Sequence, residues 1–268
     1  MTLDLALAWM TALVMVGAAL NAAELLANRR ALQPGGAFDW NVLRYASPSF
    51  SRSRPLAAVF GAGGFTVLLV VELVAALLAF ALAVRGIVHP GPVGVVLAVH
   101  LAHTARSGFG LDGADQMSSV VLVAVWLAVL RPEGWVPLAA VAFVAGQSAL
   151  SYFTAGYFKM VSPVWRSGDA LLGVISTKGY GHAGLYGVLR PRPSLTWALS
   201  ASLLLFECTF PLALFTGELG AAVYVAAGVG FHVGNAVFMG LNNFFWAFVA
   251  TYPAVLFCAG ALWRAAVG

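Results

Sequence analysis

The sequence predicts an all-α, polytopic integral membrane protein, a bundle of about eight transmembrane helices in one domain spanning residues 1–268. Three observations lead there. Hydrophobic residues make up 61% of the chain and charged residues 9%, against roughly 25% charged in a soluble domain, so the charges cannot cover a water-facing surface. The mean hydropathy is +0.91. The apolar residues also fall in long unbroken runs, not in the short alternating segments of an outer-membrane barrel. In lipid such a run satisfies its own backbone only as a helix.

Each span needs about 17–25 apolar residues, which places the elements in order. The first span covers Leu3 to Ala27 and ends at Asn28-Arg29-Arg30. It lacks a basic leading segment and an A-x-A-like cleavage site, and so reads as a retained helix. A polar loop over 28–55 follows, with Pro34-Gly35-Gly36 and a Ser/Arg cluster from Ser47 to Arg54. Spans two to five are expected at Leu56 to Val84, Pro92 to Thr104, Met117 to Leu130 and Val136 to Phe158. The third is short unless its histidine-bearing end is buried. A polar connection over 159–193 contains a short amphipathic segment, Ala170 to Ile175. Spans six to eight are expected at Leu195 to Phe215, Ala221 to Gly240 and Phe244 to Trp263.

Charge sorts this topology. With the loop after the first span in the cytoplasm, Arg29, Arg30, Arg44, Arg52, Arg54, Arg106, Lys159, Arg166, Lys178, Arg190 and Arg192 share that side. Only Arg85, Arg131 and Arg264 fall opposite. That is the positive-inside pattern, and it puts both ends of the chain outside. The pI near 9.3 follows from the same arginines. Cys208 and Cys258 sit inside apolar runs without CxxC or zinc spacing and read as small packed side chains.

An ionisable group inside a span costs at least about 2.5–3.5 kcal/mol on insertion scales, so it should face other helices or a cavity. His232, Asn235, Met239, Asn242 and Trp246 share one face if the seventh helix continues through Asn242-Asn243. That face would serve either interhelical hydrogen bonds or the wall of a binding site. Glu207 lies four residues before Pro211, whose missing N–H leaves the Glu207 carbonyl without its helical partner. It reads as a proton or substrate site, or as a structural, hydrogen-bonded carboxyl. Glu72 has fewer polar neighbours and ranks below it.

The third span ends in His100, His103 and Arg106, and a glycine-bearing turn then presents Asp112 and Asp115. The calcium-loop and HExxH patterns are absent, so no metal is expected. Tyr152, Gly156 and Lys159 share a face at the end of the fifth span, followed by Trp165 and Arg166. Lys159 reads either as a snorkelling interface residue or as a partly desolvated base. No GxSxG, P-loop or dinucleotide fingerprint occurs, and nothing points to nucleic acid.

The segment Tyr152-Phe153-Thr154-Ala155-Gly156-Tyr157-Phe158-Lys159, with Trp165 after it, resembles the vitamin K-dependent gamma-carboxylase superfamily, and more narrowly its bacterial HTTM-domain proteins. The segment His232 to Leu241, followed by Phe244 and Tyr252, is a second point of likeness. The resemblance implies a bacterial cytoplasmic membrane enzyme in which Lys159 deprotonates a reduced quinone, either vitamin K or menaquinone hydroquinone. The quinone would then drive modification of a peptide or small substrate. In an enzyme of this kind the polar positions read above would support Lys159, with His232 and Glu207 as further catalytic residues. Tyr152, Asp112, Asp115, His103, Arg106, Trp165, Asn235, Asn242 and Trp246 would form the substrate site. The same likeness extends to a membrane protein needed to mature a secreted toxin, so a non-catalytic partner in peptide maturation or export is an alternative. A small-molecule or proton transporter built on Glu207 and Glu72 is another.

Overall fold

The computed structural model describes residues 1–46, 54–107 and 112–267, and no β-strand occurs among them. The Ser/Arg stretch 47–53 and the Gly110-Leu111 pair lie outside the described residues. The helices are α1 (Leu3–Ala27), α2 (Trp40–Leu43), α3 (Arg54–Phe60), α4 (Ala62–Ala83), α5 (Pro90–Ser107), α6 (Gly113–Leu130) and α7 (Val136–Val161). They continue as α8 (Pro163–Ser167), α9 (Asp169–Ile175), α10 (Ala183–Leu189), α11 (Pro193–Thr209), α12 (Gly217–Met239), α13 (Asn242–Val249) and α14 (Tyr252–Val267). Among the described residues, seven stretches are long and apolar enough to cross a membrane: α1, α4, α6, α7, Pro193–Phe215, α12 and Asn242–Val267. The chain is an integral membrane protein with an all-helical, polytopic fold. Helix α5 stands where the third span is expected and has 18 residues. His100, His103 and Arg106 make it less apolar than the other seven.

Three predicted spans are interrupted, each for a local reason. The second breaks at Gly61, within Gly61-Ala62-Gly63-Gly64, where helix propensity is lowest. The sixth leaves α-helix at Thr209 and finishes as a 3₁₀ turn, Phe210–Phe215, because Pro211 cannot donate back to Glu207. The eighth divides between α13 and α14, where Pro253 cannot donate to the Val249 carbonyl. Beside this break the Thr251 hydroxyl lies 2.7 Å from the Phe248 carbonyl and 2.9 Å from Ser148 Oγ.

Where the sequence reads as one domain, the fold falls into two compact units, Leu3–Ala140 and Val141–Gly268 with Met1–Thr2. The boundary lies inside the continuous apolar helix α7, so no polar linker marks it.

In the unit Leu3–Ala140, α1 packs along α4. Lipid tails are as apolar as leucine, so helices associate there by close approach through small residues. Accordingly Ala12, Ala19 and Ala22 of α1, and Ala75, Ala76, Ala79 and Ala83 of α4, are buried. Val67, Val70, Val74 and Leu77 of α4 stay exposed, as a lipid-facing surface requires. The chain after α1 is packed: Leu32 joins Ala22, Phe65 and Leu69, and Trp40 and Leu43 join Phe60. Asp39 caps α2, accepting from the backbone N–H of Gly35 and of Asn41 at 2.9 Å each. Those two backbone donors hold its carboxyl below the usual carboxylate range, against the opposing effect of burial.

In the unit Val141–Gly268, α12 packs against α13, α14 and the 3₁₀ turn. The connection 159–193 is mostly helical, with α8, α9 and α10 each packing on α11.

Candidate functional site

The site grows from one face of α7. Tyr152, Gly156 and Lys159 are spaced one turn apart, as the sequence predicts. A Cβ on Gly156 would stand 2.7 Å from the Cys208 nitrogen and 2.8 Å from Glu207 Cβ. The glycine therefore lets α7 and α11 approach closely at this level. One turn on, Lys159 Nζ lies 2.5 and 2.7 Å from the two Glu207 oxygens. The Glu207 side chain is 3% exposed and the Lys159 side chain 21%. The Trp165 ring stands 5.3 Å from Lys159 Nζ, and Ser200 Oγ donates to the Trp165 carbonyl at 2.6 Å, which holds α8 in place.

At the other end of the face, Tyr152 Oη bridges His232 Nε2 at 2.8 Å and Tyr252 Oη at 2.7 Å. All three side chains are buried. Gly228, one turn before His232 on α12, leaves room for the Tyr252 hydroxyl, since a Cβ there would stand 2.9 Å from Tyr252 Cζ. The His232 ring stacks on Phe248 at 4.7 Å, and Tyr152 packs on Phe210 at 4.0 Å between ring centres. His232 Nδ1 is buried with no hydrogen-bond partner.

Between the Lys159–Glu207 pair and His232 lies a cavity of about 220 Å³. Ser151, Tyr152, Ala155, Lys159 and Glu207 line it, together with Phe231, His232, Asn235, Leu241, Phe244 and Phe248. Drug-sized ligands occupy roughly 300–1,000 Å³, so this space suits one ring-sized group and not a folded peptide segment. Chemically it offers a paired ammonium and carboxylate that can take up and return a proton, two further polar contacts, and aromatic walls for a planar ring.

Of the residues singled out in the sequence, Lys159, Glu207, His232, Tyr152 and Asn235 line this cavity, and Trp165 covers Lys159. Lys159, which the sequence leaves as either a snorkelling interface residue or a partly desolvated base, is paired with a carboxylate. The continuous face through Asn242 and Trp246 needs correcting. Helix α12 stops at Met239, Gly240 takes φ +72°, and the Leu241 N–H returns to the Asn235 carbonyl at 3.2 Å. This helix-ending motif re-aims α13, so Leu241, Phe244 and Phe248 reach the cavity where Asn242 and Trp246 were expected.

His103, Arg106, Asp112 and Asp115 belong to the other unit and are engaged there. Asp112 and Asp115 form a reciprocal capping box at the start of α6. Arg106 donates to the Phe60 carbonyl at 3.0 Å and the Phe38 carbonyl at 2.7 Å, and its guanidinium lies 4.3 Å from the Phe65 ring centre. His103 meets the same ring edge-on. A larger cavity of about 760 Å³ opens in this unit at the end of α1, beside Asn28, Arg29, Arg30 and Phe38. Both arginines there are exposed. No group of three His, Cys, Asp or Glu side chains suited to a metal occurs among the described residues.

Sequence reasoning missed Tyr252 and Phe248 as site residues. A tyrosine directly before Pro253, inside an apolar span, is a signal in the residues themselves that marks Tyr252. Comparison with protein-family models, with curated proteins and with solved structures finds no match for this chain.

Proposed function

We propose that the protein is a membrane-embedded enzyme acting on a reduced quinone, with the Lys159–Glu207 pair as the proton acceptor. The observation that carries this reading is the pair itself, set at the wall of a ring-sized cavity that Phe231, Phe244 and Phe248 also line. A planar ring bearing a hydroxyl fits that lining. Lys159 and Glu207 would receive the proton of a hydroxyl placed against them, passing it between amine and carboxylate. Phe231, Phe244 and Phe248 would keep water from the ring. A bound hydroquinone supplies the electrons for oxygen-dependent chemistry. The acceptor, a peptide or small molecule, would be presented at the mouth of the cavity, because the cavity volume leaves no room for a peptide inside.

The test is oxidation of menaquinone or vitamin K hydroquinone by purified protein, with and without oxygen, beside Lys159→Ala. Oxygen-dependent product that disappears in the variant supports the reading. Absence of turnover in the wild type removes it, and leaves a non-catalytic partner in peptide maturation or export.

A second reading, proton transfer across the membrane, is favoured by Glu72, which is 1% exposed within α4 and has Oε2 without a partner. Proton flux into sealed vesicles, absent in Glu72→Gln, is its test. For orientation we propose a bacterial cytoplasmic membrane with both ends of the chain outside. The charge bias supports this, and it requires α5 to cross. Tags at the two ends that label from opposite sides of intact cells would refute it.

A further inference from the structure

The larger cavity, in the unit Leu3–Ala140, is built by the way the chain leaves α1. The helix ends at Ala27, and a 3₁₀ turn follows over Arg29–Leu32. The Asn28 backbone N–H and side-chain amide both donate to the Glu24 carbonyl, at 3.0 and 3.1 Å. Leu32 is buried against Ala22, Phe65 and Leu69, which anchors the turn. The chain then doubles back. The Phe38 N–H donates to the Ala31 carbonyl at 2.8 Å, and Arg106 donates to the Phe38 carbonyl at 2.7 Å. Gly36 permits this return, since a Cβ there would overlap the Ala31 carbonyl.

The cavity so formed measures about 760 Å³ and has two kinds of wall. Leu25, Leu26 and Phe38 supply an apolar side, and Arg29 and Arg30 a cationic one. Both arginines are exposed, and neither forms an ion pair among the described residues. Their guanidinium groups are therefore free to reach a ligand. Glu24 also borders the cavity but is engaged in an interaction of its own. The C-terminal end of α1 disfavours an anion, yet the Glu24 carbonyl there already accepts two N–H groups. Two full charges outweigh what remains.

Guanidinium groups present a planar fork that matches phosphate oxygens. The volume lies in the range of sites for ligands of roughly 300–1,000 Å³, and the cavity opens at the end of a membrane span. Basic pockets at such a level bind anionic headgroups. We infer that this cavity is a binding site for the phosphate-bearing headgroup of an anionic lipid. Arg29 and Arg30 take the phosphate, while Leu25, Leu26 and Phe38 take the adjoining apolar part. The site is separate from the Lys159–Glu207 cavity and does not rest on the quinone reading. In the orientation proposed above it faces the cytoplasm, the side on which anionic headgroups attract basic segments.

The test titrates purified protein in detergent with phosphatidylglycerol or phosphatidylcholine of equal chain length and reads the rise in unfolding temperature. Wild type should respond to phosphatidylglycerol at far lower concentration than to phosphatidylcholine, and the difference should shrink as salt is raised. In Arg29→Gln/Arg30→Gln the apparent affinity for phosphatidylglycerol should fall about 25-fold, a factor of about five for each arginine. Without lipid this variant should unfold at the wild-type temperature, because both side chains are exposed. Arg85→Gln/Arg131→Gln removes the same charge elsewhere and should bind as wild type. Equal response of wild type to both lipids, or equal loss in the two double variants, overturns the inference. Glycerol phosphate that stabilises as well as phosphatidylglycerol overturns the assignment to a lipid.

Discussion

The two units use polar residues within apolar helices in opposite ways. In Leu3–Ala140, Arg106, Asp112 and Asp115 bond mainly to backbone groups, and Asp39 caps a turn. These side chains hold loops and helix ends in place and leave nothing over for a ligand. In Val141–Gly268 the polar side chains around the cavity bond to one another across long stretches of chain, Lys159 to Glu207 and Tyr152 to His232 and Tyr252. They border a cavity, and one nitrogen remains unmet. A charged or polar residue in a span is therefore ambiguous by itself. What it bonds to, backbone or another side chain, separates a staple from a site.

The largest test of this contrast is to break the ion pair. Lys159→Met leaves a buried, unpaired Glu207 and should cost about 3–5 kcal/mol of stability, whereas pairing it with Glu207→Leu should restore most of that. Thermal unfolding in detergent reads both. Equal losses in the single and double variants would sink the assignment of a buried pair.

Next in size is Arg106→Met, which removes the donor to the buried Phe60 carbonyl and to the Phe38 carbonyl. It should cost about 2–3 kcal/mol, yet leave menaquinone affinity as in the wild type. A large loss of affinity would mean that the staple takes part in binding after all.

Gly156→Ala should follow at about 1–3 kcal/mol, through forced separation of α7 and α11. Here, unlike Arg106→Met, ligand affinity should fall together with stability.

The smallest effect belongs to pH. Asp39 is held below its usual value in the folded state, so its contribution is full at neutral pH and fades as pH drops through that depressed value, below about 4. Amide exchange at Gly35 and Asn41, corrected for intrinsic rates, should rise in that acid range. The cavity residues should show no matching change, and Asp39→Asn should flatten the response.

Much of this was legible in the chain. Composition and unbroken apolar runs dictate membrane helices, because the other backbone arrangement satisfied in lipid, a closed barrel, needs short alternating segments. Pro211 announces the end of α11, and Tyr152, Gly156 and Lys159 declare a shared face. Pairings were not legible. Lys159 and Glu207 are 48 residues apart, and Tyr152 and Tyr252 are 100 apart, so no periodicity within one helix links them. The break at Gly240 was hidden as well. The spacing from His232 to Trp246 fits a helix, and only a positive φ at one glycine reveals that the helix ends there. The division inside α7 carried no signal at all, since an apolar helix looks the same on both sides of it.

The close approach at Gly156 also has an evolutionary corollary. Because a missing methyl sets the spacing that brings lysine to glutamate, these three positions form one heritable unit. In any homologous chain, a larger residue at the place of Gly156 should arrive with loss of the lysine, loss of the glutamate, or a compensating reduction at Cys208. A lineage that keeps Lys159 and Glu207 while freely varying Gly156 would show that the two helices have some other way of meeting.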